Sequence, residues 1–280
     1  MDHNNDNINE AEFFKKVETP FSKSKEDVWS ESFQTMFEED QAPEVKVLKL
    51  SFARYAAVAS IALMLTLGLV MRFYTQTVTS TAGEQFAHQL PDGSMVNLNA
   101  VSSLSYHPFW WSMDRSMEFE GEAFFEVKKG SDFSVVSELG TTKVLGTSFN
   151  ISTRDKAYKV YCKTGKVRVS VQDEEIVITP NMLAEFQAKL IVKEHVSETE
   201  ALAWQSNYFF FANKKIRAVF NEIERRYSVT INTNSINEEA YYSGSFEQFE
   251  QPDTTIEIIG LTLGYQIIKE SDSHYIVSAK

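Results

Sequence analysis

Hydrophobic positions are unevenly spread along the chain, and one run dominates. From Tyr55 to Met71, YAAVASIALMLTLGLVM, no residue carries a charge. With Phe52, Phe73 and Tyr74 as aromatic shoulders, the run approaches the roughly 20 residues needed to cross a bilayer's hydrocarbon core. A core helix of a soluble domain keeps a polar face, whereas here only Ser60 and Thr66 are polar, and their hydroxyls can bond back to the helix backbone. The run predicts a transmembrane helix over 52–74, longer and further from the amino terminus than a cleaved signal peptide would be. Lys46, Lys49 and Arg54 lie just before the uncharged run, with Lys23 and Lys25 further back, and Arg72 is the only Lys or Arg after it until Arg115. By the positive-inside rule the amino-terminal end stays in the cytoplasm and the rest is exported, to the periplasm of a Gram-negative cell. The expected localisation is thus a bacterial inner membrane, crossed once.

Before the span, residues 1–50 begin with an Asn-, Asp- and Glu-rich leader that ends at Pro20. Ser24 with Asp27 then suggests a capping box, and Trp29, Phe33, Met36 and Phe37 fall at i, i+4, i+7 and i+8 on one face of a short helix. Three turns cannot bury such a stripe on their own. It either docks in a groove of a cytoplasmic partner, packs on Phe13, Phe14, Val17 and Phe21, or lies on the membrane.

Beyond the span the period changes. Thr75–Ala82, rich in Thr, predicts an extended tether over 75–82. Short strand patterns follow over 83–190: Met95–Leu98 after an Asp92-Gly93 turn, an alternating Met117–Val127, Phe133–Val136, and Lys166–Val171. Their length and spacing predict an all-β domain, sandwich- or solenoid-like. From Trp204 the texture changes again. Tyr208–Phe211 reads as a strand. Ile216, Val219, Phe220, Ile223 and Tyr227 mark one face of a helix starting near Asn213, and a second helix falls over Thr254–Leu261. The order β-α-β-β-α-β-β over 204–280 predicts a small α+β domain whose helices cover one sheet face, with open edge strands for docking.

Composition narrows the function. The chain has 280 residues, 43% apolar, with 21 Phe, enough for real cores. A net charge of -12 argues against direct nucleic-acid binding. Cys162 is the only cysteine, so no internal disulfide staples the exported part. His3, His88, His107, His195 and His274 have no ligand spacing, and no nucleotide or hydrolase motif occurs, so neither metal nor cofactor is expected. Glu118, Glu120 and Glu122 alternate as a solvated strand face would. Phe109, Trp110 and Trp111 form an aromatic cluster suited to turn or core packing, or to a sugar or partner surface.

Several strings together resemble one family. LPDGSMVNLNAVSSLSY at Leu90–Tyr106, EFEGEAFFEV at Glu118–Val127, VLGTSFNI at Val144–Ile151 and TGKVRV at Thr164–Val169 are similar to the FecR-like transmembrane anti-sigma factors. NYFFFANKKIRAVFNEIERRYSVTI from Asn207 and YYSGSF at Tyr241–Phe246 resemble the terminal module, akin to short secretin and TonB amino-terminal domains, that some members carry. The resemblance implies an inner-membrane regulator. Its cytoplasmic end would hold an extracytoplasmic-function sigma factor, here through Trp29, Phe33, Met36 and Phe37. Its exported end would take a signal from the amino-terminal domain of a TonB-dependent outer-membrane transporter, and regulated proteolysis would free the sigma factor. It also implies a candidate self-cleavage bond, Gly146-Thr147, because in some relatives the threonine hydroxyl attacks the preceding carbonyl; packing is the default role for this pair, and no turnover enzyme is expected. A membrane-anchored module binding glycan or envelope is the alternative function.

Overall fold

The computed structural model describes residues 23–36 and 52–279, with side chains in the first segment as far as residue 34. The chain divides into two compact units, 1–60 and 61–280.

In the first unit, helix α1 spans Lys25–Met36. The Asp27 amide donates to Ser24 Oγ at 3.1 Å and the Ser24 amide to Asp27 Oδ2 at 3.3 Å, the reciprocal box expected from the sequence. Helix α2, Phe52–Phe73, begins in this unit and ends in the second; none of its residues is buried. At a mean hydropathy of 2.0 over its most apolar window it is long and apolar enough to cross a membrane. Ser60 Oγ donates to the Ala56 carbonyl at 2.7 Å and Thr66 Oγ1 to that of Ala62 at 3.0 Å, so both hydroxyls are satisfied without water.

The second unit continues with fourteen strands: β1 (Gln76–Ser80), β2 (Phe86–Gln89), β3 (Met95–Leu98), β4 (Ser102–Tyr106), β5 (Arg115–Glu120), β6 (Glu122–Glu126), β7 (Phe133–Val136), β8 (Thr141–Val144), β9 (Ser148–Ser152), β10 (Tyr158–Thr164), β11 (Val167–Val171), β12 (Glu174–Ile178), β13 (Leu183–Phe186) and β14 (Leu190–Lys193). They form two seven-stranded sheets, ordered β1-β4-β5-β7-β8-β11-β12 and β14-β13-β10-β9-β6-β3-β2. All neighbours pair antiparallel except β5 and β7. Leu104, Phe119, Phe133 and Val169 from the first sheet and Val96, Phe125, Phe149 and Val160 from the second share one buried core. The architecture is therefore a sandwich, closed by side chains between two sheets rather than by stacked coils.

Two expectations for the sandwich need correction. Residues 76–80 are no tether: β1 pairs with β4 from Gln76↔Tyr106 to Ser80↔Ser102, and Ser80 is buried, its hydroxyl donating to the Asn99 carbonyl at 2.6 Å. Threonine-rich segments suit a half-buried edge strand as well as a linker, and polarity alone does not separate the two. The alternating stretch 117–127 is not one strand either. It breaks at Gly121, where φ is +103° and a Cβ would lie 2.6 Å from Ser102 Cα, so β5 and β6 belong to different sheets.

After β14 come a single turn of helix, α3 (Glu198–Ala201), and a 3-10 turn at Ala203–Ser206. The remaining elements are β15 (Tyr208–Lys215), α4 (Ile216–Tyr227), β16 (Thr230–Ser235), β17 (Tyr241–Glu247), α5 (Pro252–Leu263), β18 (Tyr265–Ser271) and β19 (His274–Ala279), in the order the sequence predicts. The strands form two sheets rather than one: β15 pairs with β17, and β16 pairs in parallel with β19, which also takes β18. Ile216, Val219, Phe220 and Ile223 of α4 meet Ile256 and Ile259 of α5 in one core. The helix does not start at Asn213. That residue has φ +51° in the bulge between Phe211 and Lys214, and the cap position is Lys215.

Candidate functional site

The sandwich and the α+β part are joined by a buried ionic latch. Arg154, in the loop after β9, donates from one guanidinium nitrogen to Glu122 and to Glu222, each at 2.9 Å. Arg225 holds Glu222 from the same helix at 2.7 Å. Asn99 and Asn150 donate to the Glu122 carboxylate at 2.8 and 3.2 Å, and the Trp204 indole donates to Asn150 at 3.2 Å. The Gly83 amide reaches the Arg225 carbonyl at 2.8 Å. Side-chain exposures of 8% for Arg154 and 12% for Glu222 place this network away from solvent. Burial pushes the Glu222 carboxyl up, but the Arg154 and Arg225 charges outweigh it and hold it down at about 2, so the latch stays charged at neutral pH. Beside it lies a cleft of about 570 Å³ whose wall includes Glu122, Arg154, Trp204, Phe210, Lys214 and Tyr241.

No spacing rule in the sequence points to this network. Glu122 reads as the third member of an exposed alternation, and only the break at Gly121 turns it inward. Arg154 sits in the unpatterned SerThrArgAspLys stretch. On α4, Glu222 and Arg226 lie among the buried residues of the helix, and two charged residues on an otherwise apolar face are the hint that was available.

Gly146 and Thr147 lie in the turn between β8 and β9. A Cβ at 146 would sit 2.6 Å from Lys129 Cα, so the glycine is explained by the close pass of the 128–130 turn. Thr147 is 5% exposed, and its Oγ1 is buried without a hydrogen-bond partner. The nearby Cys162 thiol, which points at the Thr164 and Gly165 carbonyls, is pushed up to about 11 by burial and supplies no base at neutral pH. These surroundings fit a packing role.

On α1, Trp29 is 62% exposed and Phe33 45%, with their rings edge-to-face at 4.9 Å. The stripe read from the sequence is present as far as the described side chains reach. Met36 ends the helix, with its side chain outside them, and Phe37 lies outside the described residues. The aromatic cluster divides. Trp111 is buried against Tyr106 and Phe133 at 5.3 and 5.7 Å, whereas Phe109 is 54% exposed. Among the described residues no group of three or more His, Cys, Asp or Glu is placed to hold a metal ion.

The described chain thus combines an apolar helix of membrane-spanning length, a two-sheet sandwich and a small α+β module latched to it. The FecR protein family model matches residues 76–168, and the model of the FecR carboxy-terminal domain matches 208–277. The chain belongs to the FecR-like anti-sigma factor family. It is similar to a crystal structure of a candidate anti-sigma factor from Parabacteroides distasonis ATCC 8503, with 26% identity over 74% of this chain and 100% of that one, at a TM-score of 0.68. A second such structure from the same organism has 27% identity over 73% of this chain and 99% of that one, at a TM-score of 0.67. Among curated proteins none matches. Family and neighbours together support an anti-sigma, signal-transducing role.

Proposed function

We propose that the protein is a single-pass transducer of the inner membrane that holds an extracytoplasmic-function sigma factor through residues 1–50 and is released from it by regulated proteolysis. The signal comes from the amino-terminal domain of a TonB-dependent outer-membrane transporter. The observation that carries this reading is α2: a helix of 22 residues, apolar along its length and with none buried, is suited to lipid around it, and in the sequence it follows the helix that bears the exposed aromatic pair Trp29 and Phe33. For the transporter the open strand edges of the α+β part are suited, because β16 and β18 each bond on one side only and Ile268 on β18 is 46% exposed. The protein acts by binding. Pull-down of a co-expressed sigma factor tests the assignment: removal of residues 1–50 abolishes retention, and undiminished retention contradicts it.

The polar cleft beside the latch favours a second reading, a membrane-anchored module that binds glycan or envelope material. Calorimetric titration of the exported part with oligosaccharides gives heat under that reading and none under the first. Should Gly146-Thr147 break itself, wild type gives two bands on a denaturing gel and Thr147→Ala one; we assign the pair to packing and expect one band from both.

A further inference from the structure

Where the chain leaves α2, it meets a loop of its own sandwich. The His107 Nδ1 lies 3.0 Å from the Tyr74 carbonyl, and the Tyr74 and Phe109 rings are 5.5 Å apart. The Arg72 guanidinium covers the Trp110 ring at 5.3 Å. His107, Phe109 and Trp110 of the 107–114 turn therefore meet the end of the apolar helix and the residue that follows it. If that helix crosses the bilayer, this is the depth of the headgroups, where Trp and Tyr concentrate. The loop does not turn its apolar side inward: Phe109 is 54% exposed and Met113 74%, although Trp111 between them fills the core.

Strand register extends this surface beyond one loop. Tyr106 pairs toward Met117, Arg115 with Phe133, and Phe133 with Val144, so the turns 107–114, 128–132 and 145–147 share one end of the sandwich. Thr164 pairs with Ser148, which brings 164–166 to the same end. That end carries Leu145, 59% exposed, and the exposed Lys128, Lys129 and Lys166, which outnumber the exposed Asp114 and Asp132 of the same turns. The β11-β12 turn, Gln172-Asp173, lies at the opposite end, because Ser170 pairs with Thr141, the end of β8 remote from Val144, and Val171 then pairs with Glu174.

We propose that this end of the sandwich is a membrane-docking foot. Phe109, Trp110 and Met113 insert among the lipid headgroups beside the helix, and Lys129 and Lys166 face anionic phosphates. The occupant is a lipid surface rather than another protein because the patch is continuous with the membrane helix and in contact with its last turn. The consequence is orientational: the sandwich stands on the bilayer by one end, which keeps residues 170–174 away from it. The inference rests on the spanning reading of α2.

The test uses the full chain in nanodiscs of phosphatidylethanolamine and phosphatidylglycerol, with an environment-sensitive fluorophore on a cysteine introduced by Met113→Cys, Asp173→Cys or Leu65→Cys. Cys162 is buried and remains unlabelled. Quenching by nitroxide placed shallowly in the lipid should be about threefold stronger at 113 than at 173, as expected for a group at the interface. Equal quenching at 113 and 173, with Leu65 quenched by deep nitroxide, overturns the foot and leaves the span intact. An unquenched Leu65 overturns both. Phe109→Asp with Lys129→Glu should bring the quenching at 113 down to the level at 173; quenching unchanged in that variant also contradicts the proposal.

Discussion

Cys162 and Gly146 show how single residues here are decided by what surrounds them. The Cys162 thiol sits in the β10 strand with no exposed surface, and burial takes its titration up to about 11. Because the thiolate is the reacting form, at pH 7 only about one molecule in 10⁴ carries it. Thiol reagents should therefore leave folded protein unmodified at neutral pH and label it fully once guanidinium unfolds it, a contrast readable by intact mass. For Gly146→Ala the new methyl meets the Lys129 backbone, which cannot swing aside as a side-chain tip would. A loss of about 2 kcal/mol in denaturant unfolding of the exported part is expected, the cost of overpacking. Gly121→Ala should cost at least as much, since its Cβ would strike Ser102 and its φ is positive.

Among the elements, α1 and α2 were legible because each obeys a single local rule. A capping box and an i, i+4 aromatic pair specify α1, and unbroken apolarity specifies α2. Ser24→Ala should lower the helicity of an isolated 20–40 peptide by removing the hydroxyl that accepts from Asp27, a change of about 1 kcal/mol. Within the proposed sigma-binding reading, Trp29→Ala and Phe33→Ala together should weaken sigma-factor capture about 100-fold, as loss of central aromatic anchors does, while Trp29→Phe retains most of it. The strands were legible in kind but less so in boundary. Phe133–Val136 and Val167–Val171 follow their alternation directly. By contrast β1 hides in a Thr-rich stretch, because its partner β4 comes some twenty residues later and pairing is not written locally. The helix start at Asn213 failed for a similar reason: the bulge against Ser243 claims that residue for the strand, its amide donating to Ser243 Oγ at 2.8 Å.

For the molecule beyond the membrane, the latch between sandwich and α+β part was illegible in the sequence. It joins Glu122, Arg154 and Glu222 from distant positions, and no spacing rule brings them together. Its energetics are nonetheless definite. Arg154→Ala leaves two buried carboxylates facing each other and should destabilise the exported part by about 3 kcal/mol, as breaking one side of a buried pair does. The folded Glu222 carboxyl titrates at about 2 and the unfolded one near 4.5, so its contribution is complete above about pH 4.5 and fades as pH falls toward 2. Melting temperatures of wild type and Glu222→Gln should differ at pH 7 and converge as pH falls through that window. A gap that widens on acidification would contradict the assignment.

In the proposed topology α2 crosses the inner membrane once, with residues 1–50 inside the cell and the sandwich outside it. Alkaline phosphatase and green fluorescent protein, each fused to the carboxy terminus of the full chain in a Gram-negative host, test this directly. The phosphatase fusion should be active and the fluorescent fusion dark. A fluorescent fusion with an inactive phosphatase would place the folded part in the cytoplasm and contradict the account.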